Sequence, residues 1–509
     1  MHLPSLLGHA AQIVRLIERS QRPSDALASE YFREKKYIGA KERRFVSALV
    51  FASLRGRSAF EFCSLAAFDL HSEEFLQFYT DDGGSAALHK KTGAEIAVHE
   101  LGVVTACALV GNYVGTGNIF EPLSELIGVD FDDEEGRVIA VGEAFASKMG
   151  VSEESGISFA VAVVEAWAQL AEETERVFST EDYSETALEY VSTRFAAPYW
   201  ILEAWQEGTV AAGDWFSAAE IAASLLGAAP VPLRVNSLAG ARAAVVEALR
   251  EEGIRARAGL LSPDALLIDR RVNIVATRLY REGVIEIQDE ASQLAAFALA
   301  PEPGWRTLDA CAGAGGKTLH IGAIQRNRGD ITAADIEYQR LKELHPRTKR
   351  SGISIVQTAV LRKKRPSPEA LPQELQRLES ACDGVLIDAP CSGIGVSRRM
   401  PMAKWRLTPE LLDKHARKQR AILQSFSRAT APGGTLVYAT CSLMPQENIA
   451  VVRDFLAANP NFEADALLPA LEKYGARIPG LARDAAFATL TPAAHGSDGF
   501  FLARLKRID

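Results

Sequence analysis

The sequence predicts a multidomain chain in three parts. These are an all-helical region over residues 1–188, a small α/β domain over 189–295, and an open, largely parallel α/β sheet over 296–509. Three observations carry this reading. Apolar residues recur at helical spacing in the first third, as from Leu6 to Ile17 and from Arg43 to Leu54. Beyond residue 230, short β-rich runs alternate with helical stretches, the pattern that builds parallel sheets. At 509 residues the chain also exceeds one comfortable hydrophobic core.

In the helical region, Pro23-Ser24-Asp25 marks a turn and a helix start, and Gly39 punctuates before the next helix. Thr80 to Ser85 is a breaker with two aspartates and two glycines. Further helices are expected at 94–110, 139–148 and 158–175. The apolar stretch Phe159 to Val164 stops at Glu165 and reads as a core helix. No cluster of catalytic side chains falls in this region, so a helical bundle is expected.

The second part opens on a strand at 231–236, behind Ala229-Pro230-Val231-Pro232. A helix at 239–251 and strands at 266–269 and 284–287 complete a small ferredoxin-like or similar domain. Gln288 to Ser292 then starts a helix into the third part. There, strands are expected at 306–310, 330–334, 353–357, 384–388, 434–440 and 500–505, with helices at 317–325, 337–344, 409–428 and 446–458. Sheets of this kind place ligands beyond the carboxyl ends of their strands. Asp309, Asp335, Asp388 and Cys441 should therefore share one rim.

Composition narrows the function classes. With 48% apolar and 24% charged residues the chain is globular. Its six cysteines show no close CxxC pairing, so neither a zinc site nor a disulfide framework is expected, and the compartment should be reducing and cytoplasmic. The first residues lack a charged start, an apolar core and a cleavage site, and no run of 18 apolar residues predicts a membrane span. A net charge of -9 does not advertise a polyanionic partner, but fields act locally. Acid concentrates at Asp130 to Glu135 and in 171–185; base concentrates at Arg340 to Arg350, at Arg362-Lys363-Lys364-Arg365, and at Arg398 and Arg399.

The chemistry-bearing residues lie in the third part. The loop 311–317 holds Gly313, Gly315 and Gly316, which permit a tight strand-to-helix turn and close backbone approach to a ligand. It is neither a GxxxxGK[ST] phosphate loop nor GxGxxG, although Lys317-Thr318 echoes the end of the former with Ala312 where its first glycine would stand. Asp335, 26 residues after Asp309, suits a ribose diol and equally suits capping of the next helix. Two later runs end on thiols, Asp388-Ala389-Pro390-Cys391-Ser392-Gly393 and Thr440-Cys441-Ser442. Two thiols behind a nucleotide-type loop suggest group transfer through a covalent intermediate; each taken alone reads more readily as a small core residue.

These motifs resemble the NOL1/NOP2/Sun (RsmB-like) family of RNA cytosine-C5 methyltransferases. Asp309 to Thr318 looks like the family's donor loop. The Asp388 to Gly393 segment looks like its first cysteine motif, and Thr440-Cys441-Ser442 with Pro445, Glu447 and Asn448 like its second. His495-Gly496-Ser497-Asp498-Gly499-Phe500-Phe501 matches its closing strand pair. The resemblance spans about 200 residues and implies a Rossmann-like methyltransferase sheet that uses S-adenosylmethionine. More weakly, Tyr31 to Arg55 resembles the helices of NusB, and Leu233-Arg234-Val235-Asn236 the start of a small RNA-binding domain. That is the layout of the family's bacterial ribosomal-RNA branch.

By this resemblance Cys441 attacks C6 of cytosine, Asp388, protonated or sharing a proton with N3, stabilises charge that builds at N3 and O2, and Cys391 assists release. A helix starting near Pro445 would favour the Cys441 thiolate. The donor set is Asp309, Cys311, Ala312, Gly313, Ala314, Gly315, Gly316, Lys317, Asp335, Thr358 and Asp388, although Cys311, like Cys382, also reads as core. Arg398, Arg399 and Lys404 are candidates to hold RNA phosphates, and Trp405 to pack on the substrate loop or in the core. Two departures stand out: Ala314 replaces the family's usual proline, and Thr358 replaces an acid expected to hold the donor's adenine. The implied partner is RNA, either ribosomal RNA or a small-subunit assembly intermediate, met by a monomer. Transfer-RNA methylation by the same chemistry and a non-catalytic ribosome-assembly scaffold remain the alternatives.

Overall fold

The computed structural model describes residues 2–70, 87–88, 96–115, 133–181, 184–208, 215–268, 272–362 and 370–509. The breaker at Thr80 to Ser85, most of the acidic run before Asp133, and Lys363 to Arg365 of the basic run lie outside them. The chain forms two compact units: one of Met1–Ala228 with Ser397–Arg406, the other of Ala229–Val396 with Leu407–Asp509.

Among the described residues the first unit is helical, apart from a two-residue antiparallel ladder of β1 (Ala87–Leu88) and β2 (Ile96–Ala97). The helices Leu3–Glu18, Ala40–Arg55, Arg57–Leu70, Val98–Val114, Glu134–Met149 and Glu153–Thr180 surround one apolar core. Asp133 and Ser152 start the last two helices by accepting from the Gly136 and Ser155 N–H groups. Between those helices the rings of Phe145 and Phe159 stack with centroids 4.2 Å apart. Residues 199–207 and 215–224 are helices, and Ala196 and Leu226 join the core of Leu6 and Phe45. Strand pairing begins just beyond Pro230, with β3 (Val231–Val235). Among the described residues no helix is long and apolar enough to cross a membrane.

The second unit holds two sheets. The smaller is antiparallel, in the order β4 (Arg257–Ala258), β5 (Ala265–Ile268), β3 (Val231–Val235), β6 (Ile285–Ile287). Val245 and Leu249 of the Arg242–Glu251 helix share its apolar core.

The larger sheet comprises β7 (Arg306–Asp309), β8 (Asp330–Asp335), β9 (Val356–Val360), β10 (Cys382–Asp388), β11 (Thr430–Thr440), β12 (Phe462–Ala464), β13 (Phe487–Leu490) and β14 (Phe500–Arg507). Its order is β12-β14-β11-β10-β7-β8-β9, with β13 also paired to β14. Strands β7 to β11 run parallel, and β14 runs against β11. Both faces are covered, which is why the strand sequences are almost continuously apolar. Leu308, Val385, Ile387 and Leu436 share a core with the Pro409–Phe426 and Ile449–Ala458 helices, while Leu386, Val437 and Ala439 face the Glu290–Leu299 helix. Strand β9 starts three residues later than expected, because Ile353 is taken up with Leu341 and Leu344 of the preceding helix. The chain runs β7 to β9 in one direction, then returns to lay β10 and β11 on the other side of β7. The β7/β10 seam is thus the topological switch point, the usual ligand crevice of such sheets.

Candidate active site

Strand register brings the two thiols together. Asp388 lies opposite Ala439 in the β10–β11 ladder, and the Ala389 N–H donates to the Ala439 carbonyl at 2.8 Å. Beyond the strand ends, the Gly395 N–H donates to the Cys441 carbonyl at 3.0 Å, and the Gly499 N–H to the Gly395 carbonyl at 2.8 Å. Only glycine allows that approach: a Cβ on Gly395 would stand 2.1 Å from the Gly499 oxygen. The result is a Cys391 Sγ to Cys441 Sγ separation of 3.3 Å between two free thiols. The hydrogen bond with Cys441, then burial, then the nearby charges of Cys441 and Glu447 push the Cys391 thiol well above its ordinary range.

A buried carboxylate fastens both thiol loops. Glu447 Oε1 accepts from the Ser392 N–H at 2.8 Å and from Gln419 Nε2 at 2.9 Å; Oε2 accepts from the Ser392 and Ser442 hydroxyls at 2.5 Å each. Gln419 also donates to the Pro390 carbonyl at 3.0 Å, and the Tyr438 hydroxyl to the Glu447 carbonyl at 2.7 Å. Asn448 closes the second loop, accepting from Thr440 Oγ1 at 2.6 Å and donating to the Ser442 carbonyl at 2.8 Å. Glu447 and Asn448 belong to the second cysteine motif, but nothing in their spacing assigns them this clamp, and Gln419 carries no sequence signal. The helix expected from residue 446 starts at Ile449; Pro445–Glu447 is a single 3-10 turn.

The donor loop leaves β7 through Asp309, which is 1% exposed. Its Oδ2 accepts from Thr318 Oγ1 at 2.6 Å, while its buried Oδ1 has no partner among the described residues. Burial pushes the Asp309 carboxyl up to about 7, against the lowering effect of the Thr318 bond. Gly315 adopts φ +81°, and a Cβ there would meet Leu344 Cδ1 at 2.2 Å. Lys317 Nζ forms an ion pair with Asp388 Oδ2 at 2.6 Å and lies 5.3 Å from the Phe500 ring centroid.

Asp335 braces this loop. Oδ2 accepts from the Gly313 N–H and Oδ1 from the Glu337 N–H, both at 2.8 Å, so the residue combines a loop contact with the expected cap-like bond. Thr358 is exposed inside β9, in register with Ala333. It lines neither cavity of this rim.

The first cavity, about 90 Å³, is lined by Gln288, Ser292, Asp309, Cys311, Ala312, Gly316, Lys317 and Asp388. The second, about 990 Å³, adjoins Cys311, Asp335, Ile336, Leu361 and Pro390, with Lys414, Arg417 and Lys418 on its wall. Cys311 touches both; burial and the neighbouring carboxylates raise its thiol well above the ordinary range, and burial pushes Cys382 to about 12. Neither is placed as a nucleophile.

These features fit S-adenosylmethionine. The space in front of Gly313 and Gly316 is open, with nothing within 4 Å of a Cβ at either residue. An unpartnered buried carboxylate oxygen stands at the loop base, and no phosphate cradle is needed for a donor without phosphates. Asp309, Gly313, Gly316, Asp335 and Asp388 would hold it.

The residues proposed for RNA phosphates fall in Ser397–Arg406, which groups with the helical unit. Lys404 is 4% exposed, and its Nζ donates to the Arg55 carbonyl at 2.7 Å. The Trp405 indole donates to the Leu54 carbonyl at 3.0 Å, and Met402 joins the helical core, against which Trp405 packs. Arg406 donates to the Ile17 carbonyl at 3.1 Å. Lys404 is thus a buried tether, not a surface cation, and of the two placements open to Trp405 the structure adopts packing in the protein core. Arg398 is buried and Arg399 half-buried.

A family model described as 16S rRNA methyltransferase RsmB/F matches residues 296–506, and one described as an RsmF/B-like ferredoxin-like domain matches 197–275. The probable ribosomal RNA small subunit methyltransferase B of Bacillus subtilis (strain 168) is 31% identical over 326 residues, which are 64% of this chain and 70% of that protein. A methyltransferase homolog protein from Pyrococcus horikoshii is 25% identical with a TM-score of 0.51, over 64% of this chain and 99% of its own. The crystal structure of PH0851 shares the fold at 23% identity and a TM-score of 0.66, over 99% of both chains. The chain belongs to the RsmB/F family of 16S rRNA methyltransferases and is an S-adenosylmethionine-dependent RNA methyltransferase.

Proposed function

We propose that this enzyme methylates C5 of a cytosine in small-subunit ribosomal RNA through a covalent adduct with Cys441. The observation that carries the reading is the pair of free thiols 3.3 Å apart, beyond the ends of β10 and β11. Relatives named as small-subunit methyltransferases support the choice of RNA.

Cytosine C5 is a poor nucleophile until a sulfur adds at C6. In the proposed sequence the Cys441 thiolate forms the C6–S bond, and the ring electrons move toward N3 and O2. Asp388, sharing a proton with N3, stabilises the charge gathering there, and the Lys317 ammonium lies against its Oδ2. S-adenosylmethionine supplies a methyl group on a sulfonium centre. Once C5 carries the methyl group, its proton must leave. Cys391 assists this step, and elimination then restores the C5–C6 double bond and frees Cys441. The target base must leave its stack to reach the site.

The helical unit is proposed as a NusB-like RNA-binding region, and the small antiparallel sheet as a second RNA-binding element. The enzyme acts in the cytoplasm as a monomer, on ribosomal RNA or an assembly intermediate. Bisulfite sequencing of total RNA from cells with and without the gene tests the whole reading. One small-subunit cytosine should lose protection. Loss from transfer RNA would overturn the substrate, and unchanged RNA in every class would favour the scaffold.

A further inference from the structure

We infer that the buried Arg234 and the partly buried Arg347 position the donor loop, and that Glu286 holds one of them in place. The loop carbonyls on either side of Gly315 each receive a guanidinium. Arg347 Nη1 donates to the Ala314 carbonyl at 2.5 Å, and Arg234 Nη1 to the Gly316 carbonyl at 2.6 Å. Since a peptide is planar and trans, fixing its carbonyl also fixes the N–H on its opposite side. Through the Ala314 peptide this holds the Gly315 N–H on the Ala312 carbonyl at 2.9 Å, and so fixes the shape of the turn.

The arginines are themselves anchored by the small sheet. Arg234 lies on β3 and is 2% exposed; it also donates to Gln288 Oε1, a wall of the 90 Å³ cavity. Its strand partner in register is Glu286 on β6, which is 1% exposed. Glu286 accepts from Arg347 Nη2 at 2.9 Å and from Arg350. Burying a guanidinium is costly and gives little net stability even when paired. This cluster places its donors on loop carbonyls, an arrangement that serves loop geometry directly.

Ala314 makes the arrangement more consequential. Proline there, as the family usually has, would hold φ near −65°. With alanine, the Arg347 bond supplies the restraint instead. The inference rests on S-adenosylmethionine as the donor and is indifferent to the RNA.

The test is equilibrium binding of S-adenosylmethionine to the full-length protein without RNA, followed by kinetics at saturating donor. Arg347→Ala should weaken donor binding by about tenfold, with the loss appearing in KM for the donor far more than in kcat. Adding Ala314→Pro to that variant should recover most of the affinity. Glu286→Gln should cause a smaller loss in the same parameter. If Arg347→Ala folds poorly, Arg347→Lys serves: it keeps the charge, loses the two-pronged geometry, and should show a partial loss. Donor affinity within about twofold of the parent in the arginine variant overturns the inference. So does a loss that Ala314→Pro leaves uncorrected, since the arginine would then act only through general packing. A wrong RNA target leaves all these readings unchanged, so failure here is separable from failure of the substrate choice.

Discussion

Lys317 on the donor loop is paired with Asp388 of the first cysteine motif at 2.6 Å, with their side chains 12% and 31% exposed. The pair joins the ends of β7 and β10, the two sides of the switch point. Lys317→Met should slow methyl transfer about 10- to 100-fold, the value of one charge-assisted hydrogen bond of roughly 1.5–3 kcal/mol. Single-turnover rates at saturating RNA and donor provide the check. A rate within twofold of the parent would remove the pair from the mechanism.

Cys391 and Cys441 should behave differently when removed. Cys391→Ala should accumulate a protein–RNA adduct that survives denaturing electrophoresis, because addition continues while release stalls. Cys441→Ala should form none and should lose methylation. Normal turnover by Cys391→Ala without an adduct would contradict the two-thiol scheme.

Glu447→Gln puts an amide where the carboxylate accepts four hydrogen bonds. One end of the new side chain would donate toward groups that are already donors. A stability loss of about 2–4 kcal/mol is expected, read by urea denaturation, with a fall in kcat from looser spacing of the thiols. Unchanged stability and unchanged kcat together would dismiss the clamp.

Asp309 makes folding depend on pH in a stated direction. Its native carboxyl is raised to about 7 by burial, above the value near 3.8 in an unfolded chain. Between those values the native state keeps a proton that the unfolded chain has released. Its stabilising contribution is therefore complete below about 3.8 and lost as pH rises through about 7. Asp309→Asn should flatten the stability–pH profile across this window by up to one proton. A parallel shift of the whole profile would refute the assignment.

Lys404 offers a test between tether and phosphate contact. Replacing a phosphate-bound lysine lowers the salt dependence of RNA binding by nearly one ion per charge. Lys404→Met should leave that slope unaltered and should instead change the stability of the helical unit. A reduced slope would restore the residue to the RNA-binding surface.

The donor loop and both cysteine motifs were legible because each is a contiguous string whose residue types follow from its chemistry. The sheet was legible because its buried strands are short apolar runs between turn signals. What escaped were partnerships between distant residues. Glu447 meets Ser392 across 55 positions, and Arg347 meets Glu286 across 61. Neither pair leaves a periodicity to read. Lys404 belongs among these distant partnerships. The resemblance set it at the substrate cleft, whereas in the 397–406 excursion its Nζ donates to the Arg55 carbonyl, 349 positions earlier.

That short excursion bears on how the protein can be cut. A chain trimmed to begin at Ala229 would keep residues 397–406 and lose the core in which they are buried. Met402 and Trp405 would be left bare, and Lys404 would lose its carbonyl acceptor. Such a fragment should be sticky and prone to aggregate. The helical unit, deprived of these same residues, would carry a gap. Clean separation of the halves calls for replacing the excursion with a short polar linker, not for a single truncation.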